Sequence, residues 1–126
     1  MSYVKYNNNP KNRRTSDCVI RSIALAFDKS WETVFEELVV IARTLKTVPT
    51  SKEVYDKYLE DFQTINVMYI NGGGSKKRYK PLDIVKWKGT YLISIAGHLT
   101  VVKNQKLYDT WNCLNKSAYK IWKIKN

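Results

Sequence analysis

The sequence predicts an α+β fold in which N-terminal helices pack on a C-terminal antiparallel β-sheet. Apolar residues recur at helical spacing from Val19 to Leu59, whereas after Gln63 the pattern changes to short strand-like runs separated by turn-formers. Size agrees with this. A chain of 126 residues, 44% hydrophobic and 26% charged, can bury one core and is too apolar to stay disordered, so residues 1–126 read as a single domain.

Residues 1–14 include Tyr6-Asn7-Asn8-Asn9-Pro10-Lys11-Asn12, which lacks periodicity and is rich in turn-formers; this segment reads as an extended arm. Thr15, Ser16 and Asp17 are good helix caps, and Val19, Ile20, Ile23, Ala24 and Phe27 then define a first helix ending near Asp28, with Cys18 in its first turn. Ser30 caps a second helix whose apolar stripe is Trp31, Val34, Phe35, Leu38, Ile41, Ala42 and Leu45. Thr50-Ser51-Lys52-Glu53 has the form of a capping box opening a shorter helix with Val54, Tyr58 and Leu59.

Ile65 to Ile70 reads as a strand, and Asn71-Gly72-Gly73-Gly74-Ser75 with the basic run after it as a flexible loop. Pro81 to Lys86 suits a short helical turn. Three strands follow, Tyr91 to Ala96, His98 to Lys103 and Lys106 to Trp111, the last two joined by a tight turn at Asn104-Gln105. Ala118 to Lys125 completes the sheet.

The net charge of +11 is unevenly spread: residues 1–14 carry +4, residues 15–74 carry −3 and residues 75–126 carry +10. Two readings stand. The basic half suits an acidic partner or nucleic acid, and a composition rich in Lys, Asn, Ile and Tyr raises charge without any partner. The polar start has no signal-peptide core and no apolar run is long enough to span a bilayer, so a cytoplasmic protein without membrane association is expected. Two cysteines, Cys18 and Cys113, make no disulfide framework and are expected as free thiols.

Cys18 draws attention because a helix start lowers a thiol pKa through its free N–H groups and dipole, and Arg21 one turn on adds positive charge. Small buried cysteines are common, so position alone is not enough. His98 is the chain's one histidine. With Asn104-Gln105 as a two-residue turn, His98 faces Trp111 and Thr100 faces Asp109, placing His98, Asp109 and Trp111 on one sheet face. Asp109 then orients the imidazole, and a slip of one residue would move it to the other face. A carboxylate orienting a base that faces a helix-start thiol is the logic of a Cys-His-Asp triad.

Asp17-Cys18-Val19-Ile20-Arg21-Ser22, Lys29-Ser30-Trp31-Glu32-Thr33-Val34, Gly97-His98-Leu99-Thr100-Val101-Val102 and Tyr108-Asp109-Thr110-Trp111 together resemble the compact papain-like cysteine peptidase-like proteins of bacteriophages, related to bacteriocin-leader peptidases. The resemblance runs over roughly residues 7–123 and implies a papain-like fold with Cys18 as nucleophile, His98 as base and Asp109 as its orienting partner. It also implies an oxyanion hole made by the Cys18 N–H and an amide six residues upstream, Asn12, with Asn9 as the fallback; the family more often has Gln there. Trp111 corresponds to the aromatic that shields the His–carboxylate contact. The implied setting is a bacterial host cell.

A zinc site lacks ligands at suitable spacing, and no other cofactor is expected. Gly72-Gly73-Gly74 resembles the di-glycine sites cut by leader peptidases but reads first as a flexible loop. Lys76, Lys77, Arg78 and Lys80 interleave with Tyr79 as anion-binding segments do, and solvated loop charge explains them equally. Tyr119, Trp122 and Trp87 read as core or sheet packing.

The leading reading is a thiol hydrolase of peptidase or isopeptidase type acting on a protein or peptide; the same parts serve deamidases and acyl transferases. The competing reading keeps the scaffold without catalysis, inhibiting an acidic host protein or binding nucleic acid through the basic half.

Overall fold

The computed structural model describes residues 2–126, a mixed α/β structure with four helices and a six-stranded mixed sheet. In chain order the elements are β1 (Tyr3–Lys5), α1 (Cys18–Phe27), α2 (Trp31–Leu45), α3 (Lys52–Tyr58), β2 (Thr64–Ile65), β3 (Met68–Ile70), β4 (Lys76–Arg78), α4 (Pro81–Ile84), β5 (Thr90–Ile95), β6 (His98–Lys103), β7 (Lys106–Asp109) and β8 (Lys120–Lys125). The large sheet has the order β1-β7-β6-β5-β8-β2, and β3 and β4 form a separate hairpin. Among the described residues no helix is long and apolar enough to cross a membrane.

The helices follow their apolar spacing. In α2 the Ser30 Oγ accepts from the Thr33 N–H, and Val34, Leu38 and Ala42 are buried on the predicted stripe, while Leu45 at its end is exposed. Their partners are alternate residues of the sheet: Leu92, Leu99, Val101 and Trp122 join Val19, Ile23, Leu38 and Val54 in one core cluster. The other sheet face is also covered. Ile93, Ile95, Val102, Leu107 and Ile121 pack there against Ile84, Val85, Cys113 and Ala118, so β5 is buried on both sides along its whole length.

The β6–β7 turn has the expected register, with Lys103 opposite Lys106, Val102 opposite Leu107 and Val101 opposite Tyr108. Asn104 and Gln105 both take left-handed φ, 53° and 64°, as a turn matching strand twist requires. Gly89 is needed for a different reason: at φ 112° a Cβ there would lie 2.3 Å from the Lys125 carbonyl oxygen.

Several expectations are corrected. The sheet is not purely antiparallel: part of the predicted extended arm forms β1, which runs parallel to β7 and covers what would be an unpaired edge. Ser2 O accepts from Leu107 N at 2.7 Å and Tyr6 N donates to Asp109 O at 2.8 Å, so backbone pairing holds the arm where side-chain periodicity gave no sign of it. The single strand expected at 65–70 is split into β2 and β3, which join different sheets. The basic run after the glycines is not a loop but β4, its residues 76–78 paired with β3. The capping box at 50–53 does not form: Ser51 is the N-cap residue, yet its buried Oγ has no partner. β7 ends at Asp109, two residues short of Trp111. Trp122 is buried and Trp87 packs on the second cluster as read, but Tyr119 is 55% exposed.

Leu38, fully buried, and Val40, 62% exposed, lie two residues apart on α2. Leu38→Ala is expected to cost about 2–5 kcal/mol of unfolding free energy and Val40→Ala about 0.5 kcal/mol or less, as read from urea unfolding midpoints.

Candidate active site

Cys18 opens α1, and no side-chain cap bond is made at this helix start. Asp17, at the N-cap position, turns its carboxylate elsewhere. It accepts from Arg21 Nε at 2.8 Å, Trp31 Nε1 at 2.9 Å and Asn9 Nδ2 at 3.0 Å. The first N–H groups of a helix lack intrahelical acceptors, so those of α1, beginning with Cys18, are left for an incoming negative charge.

His98 is delivered by the β5–β6 turn, in which Gly97 has φ 63° and Ile95 pairs with His98. The His98 Nε2 lies 2.6 Å from Asp109 Oδ2, which leaves Nδ1 as the ring nitrogen free to meet Cys18. Asp109 is 2% exposed and heavily bonded. Thr100 Oγ1 donates to its Oδ2 at 2.6 Å, the Thr110 N–H to its Oδ1 at 2.7 Å, and Arg21 Nη1 reaches Oδ1 at 3.5 Å. The Trp111 ring centroid sits 5.2 Å from that of His98, a contact made from the turn after β7 rather than from the strand, with Trp111 40% exposed.

The charges are mutually reinforcing. Burial works against ionisation of Cys18, but hydrogen bonding with His98, the Leu99 backbone, and the charges of His98 and Arg21 outweigh it and lower the thiol pKa. Burial alone would depress His98; its hydrogen bonds to Asp109 and Cys18, with their charges, instead push it up to about 9. Burial likewise opposes ionisation of Asp109, and the bonds from His98 and Thr100 overcome it, holding the carboxyl below its usual range. Both shifts favour the thiolate–imidazolium form of the pair over the neutral one.

Cys18 and His98 share a cleft of about 420 Å³ bounded by the start of α3 and the β5–β6 turn. Its walls include Val19, Tyr55, Ile95, Leu99 and Tyr119, an apolar lining fixed in part by the Tyr55 Oη to Ser94 Oγ contact of 3.2 Å. Chemically the site can attack a carbonyl with a thiolate, offer helix N–H groups to the resulting oxyanion and return a proton from His98.

The structure brings Cys18, Arg21, His98, Asp109 and Trp111 together, but it does not bring Asn12 to the cleft. Asn12 has φ 51° and an exposed side chain bordering a different cavity with Lys5, Tyr6 and Arg14. The cause is Asn9, whose Oδ1 accepts from the Lys11 and Arg13 N–H groups while its Nδ2 binds Asp17, folding the arm into a turn that carries Asn12 outward. Asn9 itself does not border the cleft, and its amide is turned to Asp17 and to the Lys11 and Arg13 N–H groups. Lys76, Lys77, Arg78 and Lys80 do not border the cleft either; Arg78 donates to Ala118 O at 2.9 Å and lies over the Tyr119 ring, while the three lysines are exposed.

Three neighbours went unread as site residues. Asp17, a good helix cap by type, also carries an ion-pair signal in its spacing of four from Arg21. Thr100 follows from the hairpin register. Cys113 is fully buried with its Sγ 3.7 Å from Asp109 Oδ2; burial and the Asp109 charge push its thiol up to about 12. His98, Asp109 and Cys113 place ligand atoms within 4.8 Å of one another, but a thiol held protonated beside a carboxylate already bonded to His98 and Thr100 fits a hydrogen-bond donor better than a metal ligand. Both cysteines are free.

No protein-family model, curated protein or solved structure matches this chain. Two outcomes are expected from the site itself. Iodoacetamide at pH 7 should label Cys18 and leave Cys113 unmodified in the folded protein, as peptide mass mapping would read. Folding raises His98 from its ordinary 6.5 to about 9, so its contribution to stability is complete below pH 6.5 and is lost as pH rises through about 9. The difference in Tm between the wild type and His98→Gln should accordingly shrink across that interval.

Proposed function

We propose that this protein is a papain-like thiol hydrolase that cleaves amide bonds, with Cys18 as nucleophile, His98 as acid and base and Asp109 as the residue that orients His98. The observation that carries the reading is the half-buried His98, bonded through Nε2 to Asp109 at 2.6 Å and lining the same cleft as a thiol at an uncapped helix start. A structural histidine needs only one satisfied contact; a solvent-reachable thiol of lowered pKa in the same cleft has a chemical use.

In this mechanism the Cys18 thiolate attacks the amide carbonyl carbon, and the carbonyl π electrons move to oxygen. The N–H groups at the start of α1 stabilise that oxyanion, a task for which Asn12 lies too far out. The imidazolium of His98 gives its proton to the amine as the C–N bond breaks, leaving a thioester on Cys18. Neutral His98 then takes a proton from water, which attacks the thioester and restores the thiolate. Asp109 stays ionised throughout, held by Thr100, the Thr110 N–H and Arg21. The apolar walls of the cleft suit a peptide with an apolar side chain next to the cleaved bond.

The test combines a fluorogenic peptide library with alkylation kinetics. Hydrolysis should disappear in Cys18→Ala and fall about 100- to 10,000-fold in His98→Ala. The pH–rate profile should rise as Cys18 ionises and fall as His98 loses its proton near pH 9. A Cys18 that reacts with iodoacetamide no faster than a free thiol, at a rate unchanged by His98→Ala, would overturn the proposal.

A further inference from the structure

A second cavity, of about 480 Å³, lies beside the same side chains. Its walls are the segment before α1, with Arg13, Arg14, Thr15 and Ser16, and the turn after β7, with Thr110 and Trp111. It shares no lining residue with the apolar cleft, yet the two flank one pair of neighbours. Cys18 borders the cleft and the adjacent Asp17 borders the second cavity; His98 borders the cleft, and Trp111, in contact with the His98 ring, borders the second cavity. A peptide held at Cys18 would therefore have one side in each.

The electrostatics of the second cavity are one-sided. Its carboxylate, Asp17, is already committed to Arg21, Asn9 and Trp31, and Arg21 is neutralised between Asp17 and the buried Asp109. That leaves Arg13 and Arg14, whose guanidinium groups make no ion pair and no side-chain hydrogen bond among the described residues. Arg14 also borders the adjoining cavity, together with Lys5.

The backbone at Arg13 is held in place. The Arg13 N–H donates to Asn9 Oδ1 at 3.3 Å, and its carbonyl accepts from Asn7 Nδ2 at 2.9 Å, so the asparagines of the arm hold the loop from both sides. Unpaired planar donors on a tied loop, with the hydroxyls of Thr15, Ser16 and Thr110 beside them, match the recognition of a carboxylate.

We infer that Arg13 and Arg14 form a substrate subsite selecting an acidic side chain, so that the preferred substrate is a peptide with Asp or Glu on the side of the cleaved bond away from the apolar cleft. This specificity rests on the thiol-hydrolase reading given above.

The experiment uses two alkylating probes that differ by one charge, N-iodoacetyl-glutamate α-amide and N-iodoacetyl-glutamine α-amide, with second-order rates measured at Cys18 at low ionic strength. The glutamate probe should react about five-fold faster than the glutamine probe, and the ratio should fall toward one in Arg13→Gln/Arg14→Gln and at 1 M salt. Taking the ratio cancels any change in thiolate reactivity caused by the substitutions. A ratio of one in the wild type, or one that the double substitution leaves unchanged, overturns the subsite. Slow alkylation of Cys18 by both probes alike, unaffected by His98→Ala, instead overturns the hydrolase reading on which it rests.

Discussion

Most of the site depends on one run of neighbouring polar groups, Asp17, Arg21 and Asp109, which are buried, and His98 and Cys18, which are half-buried. Each neighbouring pair interacts: Asp17 with Arg21 at 2.8 Å, Arg21 with Asp109 at 3.5 Å, Asp109 with His98 at 2.6 Å, and His98 with the Cys18 thiol. Asp17, Arg21 and Asp109 are nearly inaccessible to water, so none of these charges is affordable by itself. Removing Arg21 would leave two carboxylates facing each other in low dielectric, a loss on the order of 3–5 kcal/mol. The run also has a geometric consequence. It ties the start of α1 to the β6–β7 hairpin, the two elements that present the thiol and the imidazole.

The sheet determines how rigid this tie is. β5 is buried on both faces, and β6 beside it alternates Leu99 and Val101 toward the helices with Thr100 and Val102 toward the second cluster. His98 is the first residue of that strand and shares the face of Thr100, which is why both reach Asp109 Oδ2. The same alternation turns Leu99 toward α1, where its carbonyl accepts from Ser22 Oγ at 2.8 Å. One strand thus anchors the helix with its odd residues and builds the carboxylate site with its even ones.

The N-terminal arm has a structural task that its composition disguises. Its asparagines are not spare amides: Asn7 and Asn9 fold the 7–13 turn, Asn8 Nδ2 binds the Arg21 carbonyl, and Asn9 supports Asp17. The arm then adds β1 to the sheet edge beside Asp109, with Tyr3 Oη donating to the Asp109 carbonyl at 3.2 Å. A segment without periodicity therefore frames the site from two directions. The N–H groups at the start of α1 are left uncapped by Asp17.

What could be read from the sequence was whatever repeats over a few residues. Helical spacing located α1 and α2 to within a residue or so, and strand alternation with the Asn104-Gln105 turn set the register that puts Thr100 and Asp109 opposite each other. These signals are legible because the 3.6-residue and two-residue periods act between near neighbours. The tertiary structure alone decided the rest: the parallel pairing of β1, the division of residues 64–70 between two sheets, the outward turn of Asn12, the engagement of Asp17 by Asn9 and Trp31, and the arrival of Cys113 beside Asp109. Each depends on contacts between distant segments, and an asparagine, a carboxylate or a small apolar thiol carries no mark in sequence of which distant partner will claim it.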